Sequence, residues 1–350
     1  MPRVRVLIVD DSPTIRRLIR ARLAPDPRLV VVGEAEDPYQ ARDLIKALNP
    51  DVLTLDVEMP RMSGLAFLEK LMRLRPMPVV MISTETHRGS AAALEALSLG
   101  AIECIGKPAG GVTPSTFAQL PELLVAASEV KFRDRERPQH YPPENGYVPN
   151  GKFLLLGSST GGVDALETIL GAFPENCPPT LITQHMPASF LASFAGRLDK
   201  RFRPRVCLGT HCAQLTPGTV YLAPGGAYHL ALSQGGPLQC CLVSGDKVSG
   251  HRPSVDVLFK SAIPHAARAV AVLLTGMGRD GAEGLLRLRE AGGHCAAQDK
   301  ATSIVYGMPR VAKERGAAEV VLPLERVAEH VLAECGSFGQ ARLSGAGNAA

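Results

Sequence analysis

Short apolar runs that alternate with amphipathic helix patterns place the strongest constraint on the fold of this chain. The first run spans 4–9, and others follow at 29–35, 52–55, 79–82 and 101–105, each separated from the next by a helical pattern. Strands and helices that alternate in this way form βαβ units, whose strands lie parallel in one sheet with right-handed connections. The N-terminal part is therefore predicted to be an α/β domain with a five-stranded parallel sheet.

A second α/β pattern begins near residue 151. The run FLLLGSSTGGVDAL at 153–166 is typical of a buried strand, a Gly/Ser turn and the start of an amphipathic helix. Apolar runs at 180–183 and 269–274 predict further strands, each followed by a helix. The length of 350 residues is also too large for one ordinary domain and suggests two or three.

The segment between these patterns differs in composition. It has an amphipathic pattern from 116 to about 132 and then a charged, Pro-rich run, which together predict a tether that contains one short helix. The chain ends in a Gly/Ala/Ser-rich stretch that is predicted to be flexible. The predicted boundaries are 1–108 for the first domain, 109–150 for the linker, 151–335 for the second domain and 336–350 for the tail.

Polar residues follow four of the five N-terminal strands, and together they predict a phosphorylation site. The carboxyl ends of parallel strands share one edge, so these residues are expected to converge at the usual ligand crevice. Carboxylates this close repel one another, and a hard divalent cation such as Mg²⁺ relieves the repulsion. The predicted metal ligands are Asp10, Asp11 and Asp56, with Asp56 as the phosphoryl acceptor. Lys107 would neutralise the phosphoryl oxygens, and the Ser83 hydroxyl would swing toward them.

The turn at 157–162 is the second candidate site. Its Ser159 is expected at the carboxyl end of a strand and beside the free N–H groups of a helix N-terminus, where a developing negative charge is stabilised. The spacing Gly157-x-Ser159-x-Gly161 also matches a nucleophile elbow. Gly-rich turns of this kind bind phosphate or nucleotide more often than they carry a nucleophile, so this stretch alone leaves both interpretations open.

Two further residues favour a hydrolase. His185 and Asp280 are each expected just past the carboxyl end of a strand, as Ser159 is, so the three can meet at one edge. The imidazole would take the hydroxyl proton, and the carboxylate would fix its tautomer and stabilise the imidazolium. Taken singly, His185 is equally compatible with a solvent-facing residue and Asp280 with a helix N-cap. The backbone of 276–278 offers an N–H for the oxyanion.

The order Ser, His, Asp differs from that of the α/β-hydrolases, in which the acid precedes the histidine. The C-terminal part instead carries five motifs, which are GSSTGG at 157–162, ITQHMP at 182–187, HRPSVDVLF at 251–259, LTGMGRDG at 274–281 and GMPR at 307–310. On these motifs it resembles the catalytic domain of the chemotaxis protein-glutamate methylesterases, the CheB family. On its predicted phosphorylation-site residues and Lys107-Pro108, the N-terminal part resembles a response-regulator receiver domain, although Cys104 stands where that family commonly has a switching aromatic residue.

These resemblances imply a flavodoxin-like receiver followed by a doubly wound, mostly parallel α/β methylesterase domain. They imply that Ser159 is the nucleophile, His185 the general base and Asp280 its orienting acid. Met277 would supply an oxyanion N–H, and Thr160 would lie beside the nucleophile. The 251–259 motif is expected to have a structural role, with Ser254 as the cap of a helix that starts at Val255.

The implied reactions are hydrolysis of glutamate γ-methyl esters on methyl-accepting chemoreceptors, with release of methanol, and deamidation of receptor glutamines. A chemotaxis histidine kinase would donate the phosphoryl group, and Mg²⁺ would be needed in the receiver only. The unphosphorylated receiver is expected to cover the active-site edge. No cofactor is expected in the catalytic domain.

Composition argues against other classes of protein. A membrane span needs about 20 consecutive apolar residues, and no apolar run in the sequence approaches that length. The sequence therefore predicts a cytoplasmic protein that does not insert into a membrane. The net charge of +4 is small and no helix-turn-helix pattern is present, which argues against a DNA-binding response regulator and against nucleic acid as a partner. The lack of G-x-G-x-x-G spacing argues against a dinucleotide binder. Cys207, His211 and Cys212 lack the second ligand pair of a structural zinc site.

Overall fold

The computed structural model describes residues 2–83, 87–107, 113, 116–130 and 146–338, with the backbone alone at 87–90. Pro108, most of the predicted linker and the chain beyond 338 lie outside the described residues. The N-terminal domain alternates strands and helices in the order β1 (Val4–Val9), α1 (Pro13–Leu23), β2 (Leu29–Ala35), α2 (Pro38–Leu48), β3 (Val52–Asp56), α3 (Gly64–Leu74), β4 (Val79–Ser83), α4 (His87–Ser98), β5 (Glu103–Gly106) and α5 (Leu120–Ser128).

The N-terminal sheet is parallel and has the strand order β2-β1-β3-β4-β5. Its strands are mostly apolar because helices cover both faces. Val6 and Ile8 of β1 belong to the apolar cluster under α1 and α5, whereas Leu7 and Val9 belong to the cluster on the opposite face. The order is that of the flavodoxin-like fold, which confirms the predicted fold class of this domain.

Helix α5 extends the N-terminal domain beyond the predicted boundary at 108. The helix lies inside the segment assigned to a linker, yet Leu120 and Leu124 are fully buried and it contacts β1 and α1. The amphipathic pattern at 116–132 correctly indicated a helix, but not that its apolar face covers the sheet. The linker therefore begins after Val130, and its Pro-rich run at 133–145 lies outside the described residues.

The C-terminal domain is a second α/β unit around a seven-stranded sheet of order β15-β14-β13-β7-β8-β10-β9. All its strand pairs are parallel. The elements of this domain are β6 (Tyr147–Pro149), β7 (Phe153–Ser158), α6 (Gly162–Gly171), β8 (Thr180–Gln184), α7 (Ala188–Arg201), β9 (Arg205–Leu208), β10 (Thr219–Leu222), β11 (Tyr228–Leu232), β12 (Cys240–Ser244), α8 (Val255–Ser261), a 3₁₀ helix (Ile263–Arg268), β13 (Ala269–Leu273), α9 (Ala282–Glu290), β14 (His294–Gln298), α10 (Met308–Glu314), β15 (Val320–Leu322), α11 (Leu324–Cys335) and β16 (Gly336–Phe338).

The strand order of this sheet locates its ligand crevice. Strand β7 lies in the middle of the sheet, with β8 on one side and β13 on the other. The order in which the chain adds strands therefore changes direction at β7. In open parallel sheets ligands bind outside the carboxyl ends of the strands at such a switch point. The fold is thus the predicted doubly wound α/β domain, with an antiparallel hairpin of β11 and β12 that the sequence patterns did not indicate.

The start of the predicted flexible tail is ordered, which corrects the boundary at 336. Strand β16 pairs antiparallel with β6, a strand within the segment assigned to the linker. Tyr147 of β6 is buried, its hydroxyl donates to the backbone oxygen of Leu332 (3.1 Å), and its ring lies 5.1 Å from that of Phe338. The C-terminal domain therefore spans at least 146–338.

The two domains are in contact along the edge that carries the switch point. Helix α4 packs against α7 and α6, and Ile304 of the C-terminal domain packs against the apolar cluster under α5. Within the part of the chain that is described, every helix is too short or too polar to cross a bilayer.

Candidate functional site

The turn between β7 and α6 holds Ser159 at the switch point of the C-terminal sheet. The Ser159 N–H donates to the backbone oxygen of Thr275, at the end of neighbouring β13 (3.0 Å). Its carbonyl oxygen accepts from the Gly162 N–H (2.7 Å) and from Nε2 of Gln184 (2.9 Å). Because both backbone groups of Ser159 are bonded to different elements, the position of its side chain is well defined.

Two glycines are required around Ser159, one within this turn and one just after β13. Gly161 has φ of +78° immediately before α6, a left-handed conformation that favours glycine. A Cβ atom on Gly276 would lie 2.7 Å from Cβ of Ser159 and 2.4 Å from Sδ of Met308, closer than such atoms pack. The glycines therefore allow the ends of β7 and β13 to approach one another beside the N-terminus of α6.

His185 and Asp280 form a buried hydrogen-bonded pair in which Nε2 lies 2.7 Å from Oδ2. The Asp280 carboxylate also accepts from the Val255 N–H (2.7 Å), the Ser254 hydroxyl (2.8 Å) and the Asp256 N–H (3.2 Å). Burial alone would raise the pKa of Asp280, but the His185 imidazole, with smaller contributions from the Val255 N–H and the Ser254 hydroxyl, outweighs it and holds the pKa below its ordinary value. Asp280 is thus an anion at neutral pH and fixes one nitrogen of the imidazole.

The other nitrogen of His185, Nδ1, is buried and has no hydrogen-bond partner among the described residues. His185 lines a cavity of about 310 Å³ together with Ser159, Thr160 and Met277. An imidazole with one nitrogen on a carboxylate and the other free beside a serine has the composition of a general-base site. The structure thus brings the predicted residues to one edge, where Ser159 and His185 line the same cavity without a direct hydrogen bond.

The N-terminal domain forms the opposite wall of this cavity. Glu103, in β5, lines the cavity together with Thr160 of the catalytic domain. Burial raises the pKa of Glu103 to about 7, although the Thr160 hydroxyl and the Cys104 N–H both act to lower it. The other lining residues from this domain are Leu97, Cys104, Ile105, Gly106, Gln119 and Leu123.

The second predicted site lies at the carboxyl edge of the N-terminal sheet. Nζ of Lys107 lies 2.7 Å from Oδ2 of Asp56 and 3.2 Å from Oδ2 of Asp10. Asp10, Asp56 and Ser83 are buried at the ends of β1, β3 and β4, whereas Asp11 is exposed. The structure therefore places all five predicted residues at one edge.

The acidic cluster suits a hard cation. Ligand oxygens of Asp10, Asp11 and Asp56 lie within 4.8 Å of one another. Burial raises the pKa of Asp56 to about 6, because the Lys107 ammonium offsets only part of the burial and the Asp10 carboxylate adds to it. Oδ2 of Asp10 is buried, and the Lys107 ammonium at 3.2 Å is an ion-pair partner with which it makes no well-aligned hydrogen bond. An all-oxygen site with excess negative charge fits Mg²⁺.

Sequence reasoning missed part of the C-terminal site. The 251–259 motif was assigned a structural role, with Ser254 as a helix cap. Ser254 does accept from the Val257 N–H, but its hydroxyl also donates to Asp280, as two backbone groups of α8 do. The His251 ring stacks on that of His185. The cap pattern S-V-D-V was the only signal in this motif, and it does not reveal what the helix N-terminus faces.

Comparisons with known proteins match both domains of the chain. The sequence matches the family model for the CheB methylesterase over 154–331 and that for the response regulator receiver domain over 6–113. The crystal structure of the Thermotoga maritima CheB methylesterase catalytic domain superimposes with a TM-score of 0.51 and 38% identity, covering 53% of this chain and 99% of that one.

Two relatives match nearly the whole chain. A protein-glutamate methylesterase/protein-glutamine glutaminase 1 of Caulobacter vibrioides is 53% identical over 338 residues, which are 95% of this chain and 98% of the relative. A protein-glutamate methylesterase/protein-glutamine glutaminase of Rhizobium etli is 54% identical over 333 residues, 94% of this chain and 95% of the relative. The chain therefore belongs to the CheB methylesterase family and carries a response regulator receiver domain in front of the catalytic domain.

Proposed function

We propose that the chain is a receptor-modifying hydrolase in which Ser159, His185 and Asp280 demethylate glutamate γ-methyl esters and deamidate glutamines on chemoreceptors. The overall activity is that named for the relatives. The observation that carries the assignment of residues is the His185–Asp280 pair, in which Nδ1 of His185 is buried without a hydrogen-bond partner among the described residues and the His185 residue lines the same cavity as Ser159.

The reaction follows from this arrangement as an acyl transfer. The Ser159 oxygen attacks the γ-carbonyl carbon of the substrate while Nδ1 of His185 takes the hydroxyl proton. The Asp280 carboxylate stabilises the imidazolium that forms. The oxyanion of the tetrahedral intermediate would be stabilised by the Met277 N–H and by the nearby N-terminus of α6.

Collapse of the intermediate breaks the bond to the leaving group, which receives the proton from His185 and departs as methanol. A glutamyl ester of Ser159 remains. His185 then takes a proton from water, whose oxygen attacks the ester, and returns that proton to Ser159 as the glutamate is released. A glutamine substrate passes through the same ester with ammonia as the leaving group, so one site serves both reactions.

The receiver regulates this site through Asp56. A chemotaxis histidine kinase would donate the phosphoryl group to the Asp56 carboxylate. Asp10, Asp11 and Asp56 would hold Mg²⁺, which neutralises phosphoryl charge when bound. Lys107 pairs with the same oxygens, and Ser83 lies at the end of the adjacent strand β4. Because the chemoreceptor segments that carry the modified glutamates lie in the cytoplasm, the protein acts there.

Docking of the receiver explains inhibition before phosphorylation. In the structure residues of its β5 and α5 wall the cavity that Ser159 and His185 line, a position that would hinder entry of a receptor segment. Charge added at Asp56 remodels the neighbouring β4–α4 and β5 surface, which weakens docking.

Release of methanol from methyl-labelled receptor tests the assignment. The phosphorylated protein is expected to release labelled methanol, and Ser159→Ala is expected to abolish the release. Equal release from the variant would overturn Ser159 as nucleophile. A failure of the intact protein to release methanol from any methylated receptor of its own organism would overturn the proposed substrate.

A further inference from the structure

The ring of His251 lies flat on the ring of His185, with centroids 3.7 Å apart and planes inclined by 5°. His251 is distant from Ser159 and His185 in the sequence, because it lies in the turn between β12 and α8. It lines the same cavity as Ser159 and His185. The acyl-transfer mechanism above uses no atom of His251.

The turn that carries His251 is held firmly. Val248 and His251 exchange two backbone hydrogen bonds of 3.0 and 2.9 Å. The Arg252 side chain donates to the backbone oxygens of Gly226 and Gly245, both at 2.6 Å. The His251 ring is therefore presented on a rigid support rather than on a free loop.

A stacked ring supplies a restraint that Asp280 does not. One hydrogen bond from Nε2 to Oδ2 leaves the imidazole free to rotate about that contact, which would swing Nδ1 away from Ser159. A flat surface against the ring face removes this freedom. It also leaves the ring edge, which carries Nδ1, uncovered by the stacked ring.

We propose that His251 is a positioning residue, whose ring stacks on His185 and sets the plane of the imidazole so that Nδ1 points toward Ser159. This inference rests on the proposed function, because it takes His185 as the base. It assigns a role to His251, a residue of the 251–259 motif that contributes no atom to any step of the reaction.

The electrostatics of the pair agree with this role. Burial, with a smaller contribution from His185, lowers the pKa of His251 to about 4. The Lys247 ammonium acts in the same direction and the Asp280 carboxylate opposes both. His251 is therefore uncharged at neutral pH, and the imidazolium formed on His185 faces a neutral π surface, an arrangement that is attractive rather than repulsive.

Three substitutions separate stacking from simple space filling. His251→Phe keeps a flat uncharged ring, His251→Leu keeps apolar volume without a flat face, and His251→Ala removes both. Each variant of the full chain, phosphorylated with acetyl phosphate and Mg²⁺, is assayed for methanol release from methyl-labelled receptor. The rate of Ser159 labelling by a fluorophosphonate probe is measured in parallel, since it reports activation of the serine without the receptor.

The expected result is near-normal kcat for His251→Phe and a loss of about tenfold for His251→Leu and His251→Ala, equivalent to ~1.4 kcal/mol of transition-state stabilisation. KM should change little, and the probe rates should follow kcat. Equal activity of the Leu and Phe variants, or full activity of the Ala variant, would overturn the proposal. An inactive but folded Phe variant would also overturn it, because a ring nitrogen would then be required.

Failure of the proposed function gives a different pattern. In that case the unaltered protein would release no methanol, or Ser159→Ala would remain active and still be labelled. Thermal unfolding of each His251 variant shows that a lost rate is not a lost fold.

Discussion

Glu103 of the receiver and Thr160, the residue after Ser159, line the same cavity, and the Thr160 hydroxyl acts to lower the pKa of the Glu103 carboxyl group. The two domains therefore meet inside the active-site cavity. The half-buried Glu103 owes its raised pKa, about 7 against an ordinary 4.5, chiefly to burial. Separation of the domains exposes Glu103 and returns its pKa toward the ordinary value. The docked form therefore holds a proton that the open form releases.

The first prediction is that docking weakens as pH rises. Because the pKa of Glu103 is higher in the docked form, its contribution to docking is fully present below about pH 4.5 and is lost as pH rises through about 7. The activity of the unphosphorylated chain, divided by that of the phosphorylated chain, should therefore increase from pH 5.5 to pH 7.5. Glu103→Gln, which cannot ionise, should make the ratio independent of pH. The same pH dependence in this variant would show that another group is responsible.

The second prediction concerns adjacent serines. Ser159→Ala should lower kcat by a factor on the order of 10⁴ or more, because the nucleophile is removed. Ser158→Ala is the matched control, since the Ser158 hydroxyl donates to Oε1 of Gln184 (2.6 Å) and does not line the cavity. This control should retain activity and lose about 1 kcal/mol of stability. Comparable rate losses in both variants would point to a damaged turn instead of a missing nucleophile.

The third prediction is that Asp280→Asn affects both rate and stability. The amide nitrogen would face donors at the start of α8, which removes at least one acceptor and destabilises the fold by about 1–3 kcal/mol. It would also disturb the tautomer of His185 and lower kcat by up to about 10⁴. Ser254→Ala should lower the free energy of unfolding by about 1 kcal/mol, because it removes the N-cap of α8 and the hydrogen bond to Asp280. The His185–Asp280 pair remains in this variant. Urea denaturation measures the loss of stability, and an enzyme assay measures the loss of kcat. An unchanged kcat in Asp280→Asn would show that Asp280 has a structural role alone.

Much of the fold was predictable because parallel sheets have simple sequence patterns. Strands buried on both faces are continuous apolar runs, and these located β1 to β5, β7, β8 and β13. The boundaries failed where tertiary packing decides. α5 covers the receiver sheet although its sequence equally suits a short helix in a linker. Strands β6 and β16 pair across more than 180 residues, and neither three-residue segment carries a recognisable pattern.

The candidate sites were predictable to the extent that they lie on strand ends. Ser159, His185 and Asp280 follow β7, β8 and β13, whose carboxyl ends share an edge whatever the details of packing. His251 and the N-terminus of α8 reach the site from a turn and a short helix. Their approach depends on the path of the chain around β11 and β12, which local periodicity does not encode. The contact between Glu103 and Thr160 depends in the same way on how the domains meet.

The fourth prediction concerns Asp56. Its pKa of about 6 lies above the ordinary 3.8, so the carboxylate needed for cation binding is lost as pH falls through about 6. Mg²⁺ affinity should therefore decrease below that pH. The chain has no tryptophan, so isothermal titration calorimetry is the suitable measurement.

Asp56→Asn should abolish stimulation by acetyl phosphate and keep the basal hydrolysis. Stimulation that survives in this variant would place the phosphoryl acceptor elsewhere.

The last prediction is that the catalytic domain alone is active without a phosphodonor. Its fragment should start at Gly146, because a start at Asn150 would remove β6. That strand supplies the buried Tyr147 and the partner of β16, and the Tyr147 backbone oxygen accepts from Nδ2 of Asn176 (2.7 Å). A shorter fragment should unfold at a lower temperature, which serves as a control for the boundary.

Without the receiver wall the cavity around Ser159 is open, so the fragment 146–350 should hydrolyse receptor esters faster than the unphosphorylated chain. The phosphorylated chain should fall between the two, since a shift from 1:99 to 99:1 needs about 5.5 kcal/mol and one phosphoryl group is expected to shift docking only partly. Methanol release at equal concentrations of the three proteins makes the comparison. A fragment no faster than the unphosphorylated chain would exclude occlusion, and activation would then have to arise from recruitment to receptors.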